Sequence, residues 1–208
     1  WDGPDAIAIR PAPLRARDYA IEPDASAASY LLALPAIFGG RVTVPALGRL
    51  SVQGDARFCE VLARMGAAVQ QDADSTTVTG TGALHGAVLD LGDMPDMTLT
   101  AAVLALHARG RTEIHGVEVL RHHESDRLAA GACELRKLGA IVEELPGGLI
   151  IDPPARVNQH VAIDTYLDHR MAMAFSLAGE VEIRDPACVA KTFPRYFEVL
   201  AGLGMLAG

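Results

Sequence analysis

The chain has 208 residues, half of them hydrophobic, and a formal net charge of −8 at pH 7, enough apolar content to bury a core in one large domain or two small ones. The negative balance argues against broad attraction to nucleic acid or an anionic membrane, so an anionic small molecule would need a local gathering of positive groups. The longest apolar run, 30–38, is broken by Pro35 and too short to span a bilayer, no charged-then-apolar leader opens the chain, and Cys59, Cys133 and Cys188 show no CxxC or metal-ligand spacing, so buried thiols and a cytoplasmic location without membrane contact are expected.

Trp1-Asp2-Gly3 leads straight into the alternating Ile7-Ala8-Ile9, a strand-like stretch that reads as the inside of a longer chain. Asp24 then precedes an apolar helix-forming run that Gly39-Gly40 stops, with a strand expected over 41–44. After the polar Gln53-Gly54-Asp55, the residues Phe58, Val61, Leu62 and Met65 trace one face of a second helix that Gly66 ends, and strands are expected at 76–79 and 87–91. The signals then recur. Asp96, after Pro95, heads TLTAAVLAL, and Gly110 and a strand over 111–114 follow. The polar run 121–127 leads into a helix with Leu128, Ala132 and Leu135 on one face and Gly139 as its stop, and strands are expected at 140–143 and 148–151. A third pass has Asp168 before HRMAMAFSLAG, Gly179, a strand over 181–184, Lys191-Thr192 and the helix YFEVLAGLG.

Asp24, Asp96 and Asp168 stand at equal steps of 72 residues, each a good N-cap. The expected fold is therefore α/β: one domain of three repeats of strand, helix, strand, helix and further strands, sharing a core about a pseudo-threefold axis. Arg127, Arg170 and Lys191 lie at corresponding ends of repeated elements, where helix N-termini favour phosphate and carboxylate. Arginine grips either group bidentately and lysine adds a compact charge, so the three together suit a ligand carrying both. Each taken alone reads more readily as a solvated helix end or as part of a neighbour pair such as Glu124 with Arg127. Asp24 reads as a cap, Asp96 as a cap or a general base toward a substrate hydroxyl, and Met171 and Met173 as core filling.

The segments EPDASAASYLLA, SVQGDARFCEVLARMGA, DMPDMTLTAAVLAL, LRHHESDRLAAGACELRKLGA, DHRMAMAFSLAG and AKTFPRYFEVL together resemble the EPSP synthase family along nearly the whole chain, and DHRMAM followed by AKTF at this separation is the most specific part. The resemblance implies two domains, each of three βαβαββ units, closing over a cleft. Residues 1–22 would be the tail of the N-terminal domain and the hinge, and 23–208 the C-terminal domain. It also implies enolpyruvyl transfer from phosphoenolpyruvate to the 5-hydroxyl of shikimate 3-phosphate in the shikimate pathway, through a tetrahedral intermediate and without metal or organic cofactor. Position by position, it makes Asp96 the carboxylate that takes or relays the acceptor hydroxyl proton and Glu124 the glutamate of proton traffic at the methylene carbon. Arg127, Arg170 and Lys191 match the phosphoenolpyruvate clamp, and His169 the histidine beside it. Most of the grip on the shikimate phosphate belongs to the partner domain, so the fragment by itself is expected to be inactive.

Two positions on the acceptor side depart from the pattern: His123 stands for a lysine and Val119 for an asparagine, and Pro23 replaces a glycine ahead of Asp24. A histidine is shorter than lysine and not permanently charged, and valine offers no hydrogen bond. Three readings follow: EPSP synthase with tolerated substitutions, an enolpyruvyl transferase for another cyclitol or sugar phosphate, and a non-catalytic domain that pairs with a partner chain.

Overall fold

A computed structural model describes residues 8–204. Trp1 to Gly3 and Ile7 of the expected opening strand lie outside the described residues. Ala8 and Ile9 belong to an exposed stretch without helix or strand, since an alternating segment becomes a strand only with a neighbour to pair with.

The first unit runs α1 (Ala25–Phe38), β1 (Arg41–Pro45), α2 (Phe58–Arg64), β2 (Ala68–Gln71) and β3 (Ser75–Thr79). The second runs β4 (Leu84–His85), β5 (Val88–Asp90), α3 (Thr98–Leu106), β6 (Ala108–Arg109), β7 (Thr112–His115), α4 (Arg127–Lys137), β8 (Ile141–Leu145) and β9 (Gly148–Asp152). The third contains β10 (Val161–Ile163), α5 (His169–Phe175), β11 (Val181–Ile183) and α6 (Tyr196–Gly202). Strands β2, β4, β6 and β10 carry no sequence signal strong enough to announce them, being either half polar or only two to three residues long.

The middle unit shows the whole βαβαββ pattern: β5 pairs parallel with β7, and β7, β9 and β8 continue antiparallel. In the third unit β10 and β11 repeat the parallel pair, and in the first β1, β3 and β2 repeat the antiparallel part. Tight backbone approach shapes these joints: a Cβ at Gly148 would sit 2.0 Å from the Ile114 carbonyl oxygen across the β7–β9 pair.

Helix α3 is the centre of the core. All nine of its residues are buried, and it packs against α1, α4 and α5. A helix with apolar residues on every face has to be enclosed on every side, which brings the start of α3 and those of α4 and α5 close together. Met171 and Met173 are buried in that core.

Three expectations are corrected here. Asp24 and Asp168 cap α1 and α5 through the amides of Ala27 and Arg170, but Asp96 caps nothing; it lies in a 3-10 turn, Pro95–Met97, and its carboxylate is drawn to two guanidinium groups instead. Lys191 closes a 3-10 turn, Pro186–Lys191, while α6 begins only at Tyr196, so it is not at a helix start. Of the cysteines only Cys59 is buried; Cys133 falls on the outer face of α4 and Cys188 is partly exposed.

Candidate functional site

The heads of α3, α4 and α5 meet in one ionic cluster. Asp126 caps α4 by accepting from the Ala129 amide, which places Arg127 at the first turn, pointing inward and only 2 % exposed. Its Nε donates to Asp168 Oδ2 at 2.7 Å, its Nη1 to Asp96 Oδ1 at 2.8 Å and its Nη2 to Glu124 Oε2 at 2.7 Å. A buried guanidinium needs this degree of pairing, because desolvation would otherwise cost several kcal/mol, roughly. Arg170, on the first turn of α5, donates through Nη2 to the other oxygen of Asp96 at 2.7 Å. Lys191 reaches Glu124 Oε1 at 2.5 Å.

Thus Arg127, Arg170 and Lys191 are brought together, with Asp96 bridging the two arginines and Glu124 bridging Arg127 to Lys191. The pair between Glu124 and Arg127, offered by their spacing alone, forms as part of this larger set. Asp96, His123, Glu124, Arg127 and Arg170 line an open cavity of about 370 Å³. A larger one of about 880 Å³, near His107 and His160, contains none of them.

His123 sits against the cluster. Its Nδ1 is 2.9 Å from Arg127 Nη1 and 3.7 Å from Asp96 Oδ1. A guanidinium has only donors, so Nδ1 must accept, and the proton of the neutral ring is left on Nε2. Val119 lies in the 3-10 turn before it, about half exposed at 47 %. His169 is buried beside Asp168, 3.8 Å from Nδ1 to Oδ1, and its Nδ1 finds no hydrogen-bond partner among the described residues. Burial lowers its pKa, with Asp168 opposing that shift.

The carboxylates are tuned by their partners. The Lys191 hydrogen bond, with Arg127 behind it, holds the Glu124 carboxyl down at about 2. For Asp168, burial raises the pKa, yet Arg127, the Arg170 amide and Ser125 outweigh it and leave the group below the usual carboxylate range. Asp55 goes the other way: burial pushes it up, a hydrogen bond from Ser26 pulls it back, and the nearby Asp96 adds to the rise. Burial lifts the Tyr30 phenol to about 12, with the charge of Arg170 beside it drawing it back down.

Two members of this neighbourhood escape a reading of the sequence. Asp168 appears there as a cap, yet it is fully buried and accepts from Arg127, Ser125 and the Arg170 amide at once. Asp55 stands 72 residues before Arg127, so the repeat phase itself points to it, although its acidic character breaks the likeness.

As arranged, three cations face three carboxylates. The cluster has no surplus charge, so a ligand bearing phosphate and carboxylate must exchange with the protein's own acids for the donors of Arg127, Arg170 and Lys191.

The EPSP synthase (3-phosphoshikimate 1-carboxyvinyltransferase) family model matches residues 2–200. A 3-phosphoshikimate 1-carboxyvinyltransferase from Burkholderia cenocepacia is 48 % identical over 191 residues, and one from Cupriavidus necator 50 % over 192; each alignment takes 88 % of this chain and 44 % of the relative. EPSP synthase from Acinetobacter baumannii superposes with a TM-score of 0.76 at 25 % identity, over 88 % of this chain and 46 % of that one. The enolpyruvyl transferase NikO from Streptomyces tendae shares the fold, with a TM-score of 0.67 at 22 % identity over 88 % and 43 % of the two chains. The chain spans less than half the length of the curated relatives it matches. With that extent of match in sequence and in fold, the chain belongs to the EPSP synthase family.

Proposed function

We propose that this chain is the phosphoenolpyruvate-binding half of an enolpyruvyl transferase that acts on the 5-hydroxyl of shikimate 3-phosphate and releases inorganic phosphate. In this reading 1–22 are the end of the preceding domain and the hinge, 23–208 the C-terminal domain, and the compartment is the cytoplasm, without nucleic acid or membrane as partner. The observation that carries it is the convergence of Arg127, Arg170 and Lys191 on Asp96 and Glu124.

Arg127, Arg170 and Lys191 hold the phosphate and carboxylate of phosphoenolpyruvate. Asp96 accepts the proton of the acceptor hydroxyl as its oxygen bonds to C2, and a proton is delivered to the methylene carbon, giving the tetrahedral intermediate. Removal of a proton from the new methyl group and departure of phosphate restore the double bond. Glu124 is assigned to the proton traffic at that carbon, and His169, buried beside Asp168 next to the clamp, to the same catalytic set. With Lys191 and Arg127 bonded to it, Glu124 is a firm carboxylate and a poor acid. It gains the ability to carry a proton when the substrate phosphate draws Lys191 away, which couples binding to proton transfer. No step in this sequence calls on a metal or an organic cofactor.

A second reading, another cyclitol or sugar phosphate as acceptor, is favoured by His123, whose Nδ1 is already engaged by Arg127, and by the apolar Val119. The deciding measurement is phosphate release from phosphoenolpyruvate by the full two-domain protein with shikimate 3-phosphate. Robust turnover is expected; its absence, with turnover on another acceptor, would establish the second reading, and no turnover with any acceptor would leave a non-catalytic domain.

A further inference from the structure

The segment that delivers Asp168, His169 and Arg170 to the cluster has an unfavourable backbone. Tyr166 and Leu167 have φ of 54° and 58°, and the Asp168 amide donates to the Thr165 carbonyl at 2.8 Å. Two consecutive left-handed residues inside a four-residue turn are the pattern of a primed turn, for which Asn and Gly are the usual occupants. Tyrosine and leucine are poor choices, and Leu167, 79 % exposed, has little packing to offset the strain.

The restraint comes from α4. Arg127 at its start grips Asp168. Seven residues on, about 10 Å along the same face of the helix, Glu134 is fully buried and accepts from the Tyr166 hydroxyl at 2.8 Å, from the Asp164 amide at 3.2 Å and from Lys137 Nζ at 2.7 Å. Lys137 in turn bonds Asp164 Oδ2 at 2.7 Å, and Arg184 holds its other oxygen at 3.1 Å. Burial, then Cys133 and Glu134, push the Tyr166 phenol up, so it remains a donor. The turn is therefore stapled to α4 at both ends.

The geometry points to Glu134 and Tyr166 as positioning residues for the cation cluster: they hold the left-handed Thr165–Asp168 turn in the one conformation that sets Asp168 against Arg127 and starts α5 at His169 and Arg170. Neither touches the cavity, so they act through the turn. A buried carboxylate bound by three donors is costly to keep and would be replaced by an apolar residue if it served only packing. Its occupation by the partners of a strained turn gives it a purpose that packing lacks.

The inference rests on the proposed phosphoenolpyruvate site for its kinetic readout only. Tyr166→Phe removes one hydroxyl from a part-exposed ring and should leave the full-length protein folded. Glu134→Gln tests the charge. The first readout is the Arg127 Nε–H signal by nuclear magnetic resonance, which reports the Asp168 contact whether or not phosphoenolpyruvate is the ligand. Both variants should shift it and speed its exchange with solvent. The second is steady-state kinetics, where KM for phosphoenolpyruvate should rise about fivefold, the worth of one ordinary hydrogen bond, with kcat changing less. Adding Leu167→Gly to Tyr166→Phe relieves the strain at the second of the two left-handed positions and should bring both readouts back most of the way to the parent, as glycine takes φ > 0 freely. If Tyr166→Phe lowers the melting temperature alone, leaving the Arg127 signal and KM as in the parent, the proposal is wrong; it is equally wrong if Leu167→Gly leaves the defect undiminished. A parent protein that does not use phosphoenolpyruvate overturns the functional reading, and the Arg127 signal then decides this one.

Discussion

Asp168 offers the sharpest test of how the cluster is held. It is fully buried, with Arg127 Nε at 2.7 Å and Nη2 at 3.3 Å, Ser125 Oγ at 3.0 Å and the Arg170 amide at 2.9 Å. Replacing it by alanine removes one member of a buried ion pair, a loss of about 3–5 kcal/mol, and a helix cap, about 1 kcal/mol more. Arg127 keeps Asp96 and Glu124, which argues for the low end of the first figure and a total of about 4 kcal/mol. For a protein of this size that corresponds to a fall in Tm of about 12 °C. Asp168→Asn keeps an acceptor for the Arg170 amide and loses the charge, so about half that cost is expected. Urea unfolding followed by circular dichroism at pH 7 measures both. The pH dependence has a definite sign: the folded pKa is depressed, so the contribution of Asp168 is whole above the ordinary carboxylate value of about 4 and fades as pH falls through the lower folded value. The difference between parent and Asp168→Ala should therefore shrink in acid. An Asp168→Ala protein within about 1 kcal/mol of the parent would refute the reasoning, since it would mean that Asp96 and Glu124 alone satisfy the buried guanidinium.

The remaining expectations concern the rim of the site. Lys191 is 58 % exposed, so Lys191→Ala should change stability by no more than about 1 kcal/mol while weakening phosphoenolpyruvate binding in a titration of the full-length protein; a large loss of stability would count against the clamp role. Glu124 has a folded pKa of about 2 against an ordinary 4.5, so the pair with Lys191 should persist above about pH 4.5 and dissolve as the pH falls toward 2. Carboxyl carbon shifts in a nuclear magnetic resonance titration follow this directly, and a midpoint near 4.5 would contradict the Lys191 contact. His123→Lys should raise kcat/KM with shikimate 3-phosphate if the acceptor side has drifted; no gain in kcat/KM would count against that drift.

Much of the fold is legible in the sequence because the signals that set it are local. Acidic caps at steps of 72, glycine stops and alternating helix and strand periodicities lie within windows of a dozen residues, and the helices and strands they announce from Asp24 onward are found where expected, whereas Ala8 and Ile9 form no strand and Asp96 is not a cap. Strands β2 and β10 escaped because each is defined by its partner: β2 is half polar and is held by β3, and β10 is three residues long and exists through its pairing with β11.

The site is legible only in part. Sequence alone could gather Arg127, Arg170 and Lys191 as cations at corresponding ends of repeated elements, although Lys191 proves not to lie at a helix start, and could offer Asp96 as a cap or base and Glu124 as a neighbour of Arg127; family likeness attached roles to them. Which charge meets which was decided by tertiary structure. Asp96 has the same local setting as a cap, but enclosure of α3 on every side brings it against arginines 31 and 74 residues away, and two guanidiniums outbid a backbone amide for its oxygens. Asp168 has the opposite history: it keeps its cap and acquires Arg127, 41 residues away, only because α4 and α5 start at the same point of the core. Helix ends follow from short-range propensity. A charge network depends on distances between segments, which no local pattern encodes.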